Sequence, residues 1–352
     1  MKLEDQPMTA PAMRNIIAIG GSAGSSTPLR QLLSDLPADL PASIFVSTHI
    51  PAHGPSFLVD VLSGSATMPV TCAVDDQPIE PNRVYVAAPD RHLLLIDNTI
   101  RLGTGPQENM VRPAIDPLFR SAACSFGPRV IGVVLSGMLN DGAAGLHAIK
   151  ACGGTAVVQH PIDADADQMP LAALEATEVD HVAPASGLGA LLATLAQTEV
   201  ADATFSPPPD LWLEVEIAAG ARLGSDRLRR IAEPSVLTCP DCHGVLSEVK
   251  NSRPLRFRCQ IGHGYTAASL AAEIGAIDEA VRVAMRMMEE RVSLVDHMAA
   301  DARATGRSAV AELYEARAEE YRRYAKTLRD AAVTSLRLSQ APGSEAFDDR
   351  ES

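Results

Sequence analysis

Between Asn15 and about Gln197, short unbroken apolar runs alternate with longer stretches in which apolar residues recur every three or four positions. The runs "IIAIG" (16–20), "SIFVSTH" (43–49), "RVYVAA" (83–88), "HLLLID" (92–97), "VIGVVLSG" (130–137) and "TAVVQ" (155–159) predict strands. The stretches "TPLRQLLSDL", "GPSFLVDVL", "AIDPLFRSAACSF" and "AAGLHAIKACG" carry the helical period. That alternation predicts an α/β fold, a doubly wound, mostly parallel sheet with helices on both faces. The exception is 83–103, where two strands stand close together and predict an antiparallel hairpin at one edge.

Beyond this region the pattern changes. Residues 1–13 are polar and broken by proline, which predicts a mobile tail before the α/β domain of 14–198. Residues 199–236 contain "SPPPD" and read as a linker that holds a short helix near "DLWLEVEIA". A compact Cys/His module occupies 237–266, a helical hairpin broken at "ATGRS" occupies 267–337, and an acidic tail ends the chain at 338–352. For the hairpin, self-packing is the plain expectation; a partner-binding role, or a homodimer through these helices, is the sharper one.

Composition narrows the partners. Among 352 residues, 46% are hydrophobic and the formal charge is −14. The first figure allows a sizeable core, and the second argues against nucleic acid or an anionic membrane as main partner, since both reward clustered Lys and Arg. No apolar run approaches the ~20 residues of a membrane span, and no leader pattern opens the chain, so direct membrane insertion is not expected and the cytoplasm is. Cys72, Cys124 and Cys152 are expected as buried thiols there.

The turn after the first predicted strand, Gly20-Gly21-Ser22-Ala23-Gly24, lacks the spacing of a phosphate-binding loop but matches G-x-S-x-G, a serine raised on a tight strand-to-helix turn. Alone it is a weak signal, because Ser22 could equally cap the next helix. A serine needs a base, and His49 ends the second strand while Asp141 follows the strand "VIGVVLSG". Carboxyl ends of parallel strands share one edge, so the three can converge there. A loop histidine and a helix-capping aspartate are the competing readings. His53 is expected to be a loop residue, because Pro51 breaks any helical turn shared with His49.

The segments "IGGSAGS", "STHIP", "VYVAAPDRHLLL", "RPAIDPLFRSAA", "GVVLSGMLNDGAAGL" and "QMPLAAL", in this order between about Ile16 and Leu195, resemble the catalytic domain of CheB-type protein-glutamate methylesterases. The resemblance implies a triad in which Ser22 attacks an ester carbonyl, His49 acts as base and then acid, and Asp141 orients the imidazole. It implies an oxyanion hole from the backbone N–H groups of Ala23 and Met138, and no cofactor for catalysis. It implies a methylated, chemoreceptor-like protein substrate, release of methanol and a related glutamine deamidation. Ser25 and Leu139 depart from the family's usual residues beside the proposed site, and a receiver domain, which the resemblance associates with chemotaxis members, is not expected within the short tail before the first strand. His92 and Arg112 fall in family-like segments and are candidates for the substrate groove or for structural roles. A non-catalytic signalling adaptor is the alternative function.

In "LTCPDCHGVLSEVKNSRPLRFRCQIGHGY", C-x2-C is followed after sixteen residues by C-x3-H. Three thiolates and an imidazole at this spacing suit tetrahedral zinc, with Cys239, Cys242, Cys259 and His263 as ligands and His243 as the rival for the fourth place. Four protein ligands leave no open position, so the zinc is expected to be structural. The segment resembles C-terminal extensions of receiver-less family members.

Overall fold

The computed structural model describes residues 12–50, 57–200, 205–222, 224–272 and 275–339, the helical stretches 275–282 and 331–339 by backbone alone. His53 and the acidic end of the chain lie outside the described residues. Two compact units divide at Leu270 and Ala271.

The first unit is built on strands β1 (Ile16–Gly21), β2 (Ser43–Thr48), β3 (Val70–Cys72), β4 (Arg83–Val86), β5 (His92–Ile96), β6 (Thr99–Gly103), β7 (Val130–Val134), β8 (Thr155–Gln159) and β9 (His181–Ala183). Seven of them form one sheet in the order β9-β8-β7-β1-β2-β4-β3, every pair parallel. Helices α1 (Ser26–Asp35), α2 (Leu58–Ser63), α3 (Ile115–Phe126), α4 (Ala143–Ala151), α5 (Gln168–Ala176) and α6 (Ala185–Leu195) cover it. Alternation along β1 explains the two layers. Ile17 and Ile19 pack with Leu29, Leu32 and Leu33 of α1 and Leu188 and Leu192 of α6, whereas Ile16 and Ala18 pack with Leu118, Phe119 and Ala122 of α3.

The antiparallel pair lies at 92–103. β5 pairs with β6, and Gln77–Pro78 joins them in a three-stranded sheet of its own, while β4 belongs to the parallel sheet. The short strands β3 and β9 were not predicted. Ala12–Met13 pair antiparallel with Glu199–Val200, so the end of the expected tail is tied down.

The expected linker is structured. It contributes α7 (Pro209–Ala219), α8 (Ser225–Ile231) and the start of β10 (Ala232–Thr238), with Leu213, Ile217, Leu228, Ile231, Ala232 and Val249 sharing a core. β10 leads into β11 (Val245–Val249), β12 (Arg256–Cys259) and β13 (Gly264–Thr266), an antiparallel meander followed by the short helix α9 (Ala267–Ala272). This Cys/His module packs within the first unit through a fully or nearly buried charge cluster. Arg258 of β12 donates to Glu214 (2.8 Å) and Glu108 (3.1 Å), Arg120 of α3 to Glu108 (2.5 Å), and Arg256 to both oxygens of Glu214 (2.7 and 2.9 Å). Burial favours the neutral acids, but the arginines outweigh it and hold Glu108 below, and Glu214 well below, the usual carboxylate range.

The second unit contains two helices, α10 (Gly275–Ala304) and α11 (Ser308–Ser339), joined by three residues. Val295, Ala299, Ala302, Ala311 and Ala318 are its buried seam, and Arg303–Glu315 (2.6 Å) and Arg322–Asp296 (2.6 Å) bridge the helices. Among the described residues no helix is long and apolar enough to cross a membrane.

Candidate active site

Strands β7, β1 and β2 are neighbours, and the chain leaves β1 toward β2 on one side while β7 joins on the other. The carboxyl ends flanking such a reversal form a crevice. Ser22, Asp141 and His49 follow these strand ends and meet in one hydrogen-bonded series. Ser22 Oγ lies 2.9 Å from His49 Nδ1, and His49 Nε2 lies 2.8 Å from Asp141 Oδ2.

Neither Ser22 nor Asp141 is the residue that immediately precedes the helix following it. The residue preceding α1 is Ser25, not Ser22, and the hydroxyl of Ser25 donates to the Ser22 carbonyl (2.6 Å). Gly142, not Asp141, precedes α4, in the left-handed region at φ 90°. The Asp141 carboxylate accepts instead from the N–H groups of Ile115 (2.7 Å), Asp116 (3.2 Å) and Gly142 (3.0 Å) and from Asn109 Nδ2 (3.2 Å). The first two are the opening residues of α3, whose dipole favours an anion there. Burial pushes the Asp141 carboxyl up, but the hydrogen bond and charge of His49 and the α3 N–H groups outweigh it and leave it below its usual range. An ionised Asp141 only accepts, so the imidazole proton sits on Nε2 and the Nδ1 lone pair faces the Ser22 hydroxyl.

Two turns beside Ser22 are locked together. Ser22 N–H donates to the Ser136 carbonyl (2.9 Å), and the buried Ser136 hydroxyl donates to the Ala23 carbonyl (2.8 Å). Gly24 at φ 75° takes the left-handed turn, where a Cβ would lie 2.5 Å from Asp165 Cβ. Across the site, Gly137 N–H donates to the Ala166 carbonyl (2.9 Å), Leu139 N–H to Gln168 Oε1 (2.8 Å) and Met169 N–H to the Gly137 carbonyl (2.9 Å). Among the described residues the N–H groups of Ala23 and Met138, one on each turn, have no intramolecular acceptor.

The two groove candidates have structural partners. His92 is fully buried, Nε2 on the Pro106 carbonyl (2.9 Å) and Nδ1 receiving Ala114 N–H (3.3 Å); burial pushes its pKa down, and neutral it can play both parts. A 0% exposed ring cannot line a groove, which corrects that expectation. Arg112 grips Asp90 with Nε (2.9 Å) and Nη2 (2.6 Å) and the Gly105 carbonyl with Nη1 (2.6 Å).

Sequence reasoning missed Asn109 and Asp116. Asp116 is buried beside Asp141; burial first, and the Asp141 charge second, push its carboxyl up to about 7. The short polar run "PQEN" before Met110 has no helix or strand period, whereas Asp116 sits inside the helical stretch "AIDPLFRSAACSF" and reads as part of a solvated face.

Cys239, Cys242, Cys259 and His263 come together, with all four donor atoms within 4.8 Å of one another. The distances Cys242 Sγ–Cys259 Sγ of 3.6 Å, Cys239 Sγ–His263 Nδ1 of 3.6 Å and Cys259 Sγ–His263 Nδ1 of 3.4 Å are close to the edges of a tetrahedron with metal–ligand bonds of about 2.0–2.3 Å. The four groups could hold a metal ion, and His243, at φ 58° in the knuckle turn, is not among them.

A parallel α/β sheet carrying hydroxyl, imidazole and carboxylate in hydrogen-bonded order at its carboxyl edge has the arrangement of a serine-type hydrolase. Residues 17–192 match the CheB methylesterase family. The chain is 36% identical over 185 residues to a putative protein-glutamate methylesterase/protein-glutamine glutaminase of Leptospira interrogans, covering 52% of this chain and 96% of that protein. It is 35% identical over 169 residues to protein-glutamate methylesterase/protein-glutamine glutaminase 2 of Anaeromyxobacter dehalogenans, covering 48% of this chain and 50% of that one. It is also similar to the crystal structure of the Thermotoga maritima CheB methylesterase catalytic domain, at 31% identity, 51% and 98% coverage and a TM-score of 0.49. The chain belongs to the CheB methylesterase family.

Proposed function

We propose that the protein hydrolyses methyl esters of glutamate side chains on a chemoreceptor-like protein, with Ser22 as nucleophile, His49 as proton carrier and Asp141 as its orienting anion, in the cytoplasm and in chemotaxis-type signalling. The uninterrupted series Ser22 Oγ, His49, Asp141 carries this reading. Ser22 Oγ attacks the ester carbonyl carbon as its proton passes to His49 Nδ1. The oxyanion is met by the N–H groups of Ala23 and Met138, each such donor being worth about 2.7–4 kcal/mol. Collapse breaks the bond to methoxide, which takes the proton from His49 and leaves as methanol. Water, deprotonated by the same nitrogen, then cleaves the acyl-enzyme and restores Ser22. A glutamine side chain would follow the same path with ammonia as leaving group. No step needs a cofactor.

The cysteine cluster is assigned to structural zinc. Its own core holds only Cys239, Leu246, Phe257, Cys259 and Tyr265 as fully buried apolar members, too little to fold such a module unaided. Asp241, which accepts from the Tyr265 hydroxyl (2.5 Å), sets a carboxylate 3.9 Å from His263 Nε2, on the side of the imidazole away from the thiols. In the second unit, the exposed Leu294 and Leu313 offer a surface for a partner or a second copy.

Methanol released from a methylated chemoreceptor cytoplasmic fragment tests the reading. Wild type should release it, and Ser22→Ala should be slower by about 10⁴–10⁶-fold. Equal release by Ser22→Ala would refute the triad, and no release by folded wild type would favour a non-catalytic adaptor.

A further inference from the structure

We infer that Asn109 is a positioning residue for Asp141 and that the Cys/His module together with the helix α9 that follows it, through Thr266 and Ser269, sets the orientation of its side-chain amide, so that the module and α9 complete the support of the catalytic centre. The inference rests on the triad proposed above.

Asp141 receives four of its five hydrogen bonds from His49 and from backbone N–H groups next to it or at the start of α3. The fifth comes from the side chain of Asn109, which is 7% exposed. Either end of an amide can face a neighbour, and the wrong end here would be costly. Asn109 Nδ2 lies 3.2 Å from Asp141 Oδ1 and 3.4 Å from Asp116 Oδ2, so a reversed amide would set its oxygen against two carboxyl groups.

The choice is made by the module. Thr266 N–H, which can only donate, is shared between Asn109 Oδ1 and Ser269 Oγ, each at 3.0 Å. The Ser269 hydroxyl lies 3.2 Å from the same Asn109 oxygen. The Thr266 hydroxyl donates to Asn140 Oδ1 at 2.6 Å, gripping the residue that precedes Asp141. The Asn109 backbone, in the left-handed region at φ 51°, is pinned as well, its N–H donating to the Gly264 carbonyl at 2.7 Å. Arg258 of the same module holds the adjacent Glu108. Thr266 and Ser269 are both 0% exposed, so no water competes for these bonds. The module therefore touches Asp141's support from two sides without touching Asp141 itself.

A merely structural interface would fix stability and nothing else, which makes the two roles separable. The test uses the full chain, with Trp212 fluorescence certifying the fold. Two rates are followed, phosphonylation of Ser22 by a fluorophosphonate and hydrolysis of a peptide glutamyl methyl ester. Asn109→Ala should lower kcat and the phosphonylation rate about 10–100-fold, the loss of one hydrogen bond to a charged group, with KM unchanged. Ser269→Ala, which removes the one side-chain hydroxyl on Asn109 Oδ1, should lower both rates about 2–5-fold in the wild-type background and have no further effect on Asn109→Ala, because both act through one amide. Thr266→Ser keeps the N–H and the hydroxyl and should retain the wild-type rate, and against Thr266→Val it isolates the bond to Asn140, which precedes Asp141. Full kcat and phosphonylation in folded Ser269→Ala, or an effect of Ser269→Ala that multiplies with Asn109→Ala, would overturn the inference. Ser22→Ala and Asp141→Asn separate the two levels. If they lose hydrolysis while the Asn109 variants keep it, only the positioning role fails; if they keep it, the triad fails.

Discussion

Arg258→Met tests whether the buried charge cluster holds the module to the domain. The substitution keeps much of the side chain's length but removes donors to the Gly262 carbonyl (2.7 Å), Glu214 (2.8 Å) and Glu108 (3.1 Å), all buried. Leaving a buried charge without its partner costs about 3–5 kcal/mol. Glu214 keeps two bonds from Arg256 and Glu108 keeps one from Arg120, which points to the low end, about 3 kcal/mol at pH 7. Urea unfolding followed by Trp212, the single tryptophan, reads this directly, because Trp212 lies on α7 two positions before Glu214. With a urea slope of about 1–3 kcal/mol/M the midpoint should fall by about 1–2 M. The pH dependence has a definite sign. Both glutamates are depressed in the folded protein, so their contribution is present above the ordinary glutamate value of about 4.3 and is lost as pH falls through the lower folded values. The gap between wild type and variant should stay constant from pH 8 to about 5 and close below about 4. A gap under about 1 kcal/mol at pH 7, or one unchanged down to pH 3, would show that the buried cluster does not hold the module to the domain.

Three further outcomes follow from the same geometry. A Cβ at Gly137 would lie 2.0 Å from Met169 Sδ and 3.0 Å from Ser22 Cβ, so Gly137→Ala should shift the turn beside the nucleophile and lower kcat by about 100-fold, read as methanol release. Asp116, raised to about 7 by burial and by Asp141, adds stability below its unfolded value near 3.8 that is lost as pH rises through about 7. Asp116→Asn stays neutral, so its urea stability relative to wild type should rise by about 2 kcal/mol between pH 5 and 7, and parallel profiles would contradict this. Metal analysis should find one zinc per chain, and its removal by chelation should expose 237–266 to proteolysis, since structural zinc supplies about 10–16 kcal/mol to such modules; an intact, protease-resistant module without metal would contradict the assignment.

What the sequence made legible was what has a local period or a fixed spacing. The strands of 16–20, 43–49, 130–137 and 155–159 are apolar on both faces because helices cover both, and they occur within a residue or three of those limits. The three cysteines of the Cys/His cluster stand out by spacing, while the choice of His263 over His243 comes from the fold. β3 and β9, three residues each and partly exposed, carry too little apolar signal, and Glu233 and Pro234 disguise the start of β10. The cluster of Glu108, Arg120, Glu214 and Arg258 was invisible for a different reason. Charged residues on strands and helices ordinarily mark the solvated face, and the period-two placement of Arg256 and Arg258 in "RFRC" reads that way until Glu214, more than forty positions earlier, is found opposite. Asn109 escaped likewise, because its partners Asp141 and Thr266 are joined to it only by the fold.

In the proposed function Ser22 is a nucleophile activated by His49. Mass-spectrometric mapping after incubation of the folded chain with a fluorophosphonate tests it most directly. A single covalent adduct on the peptide containing Ser22 is predicted, with the rate of its formation lowered by about 10³-fold or more in His49→Gln. A folded protein that gives no adduct at Ser22, or a His49→Gln variant labelled there at the wild-type rate, would contradict it.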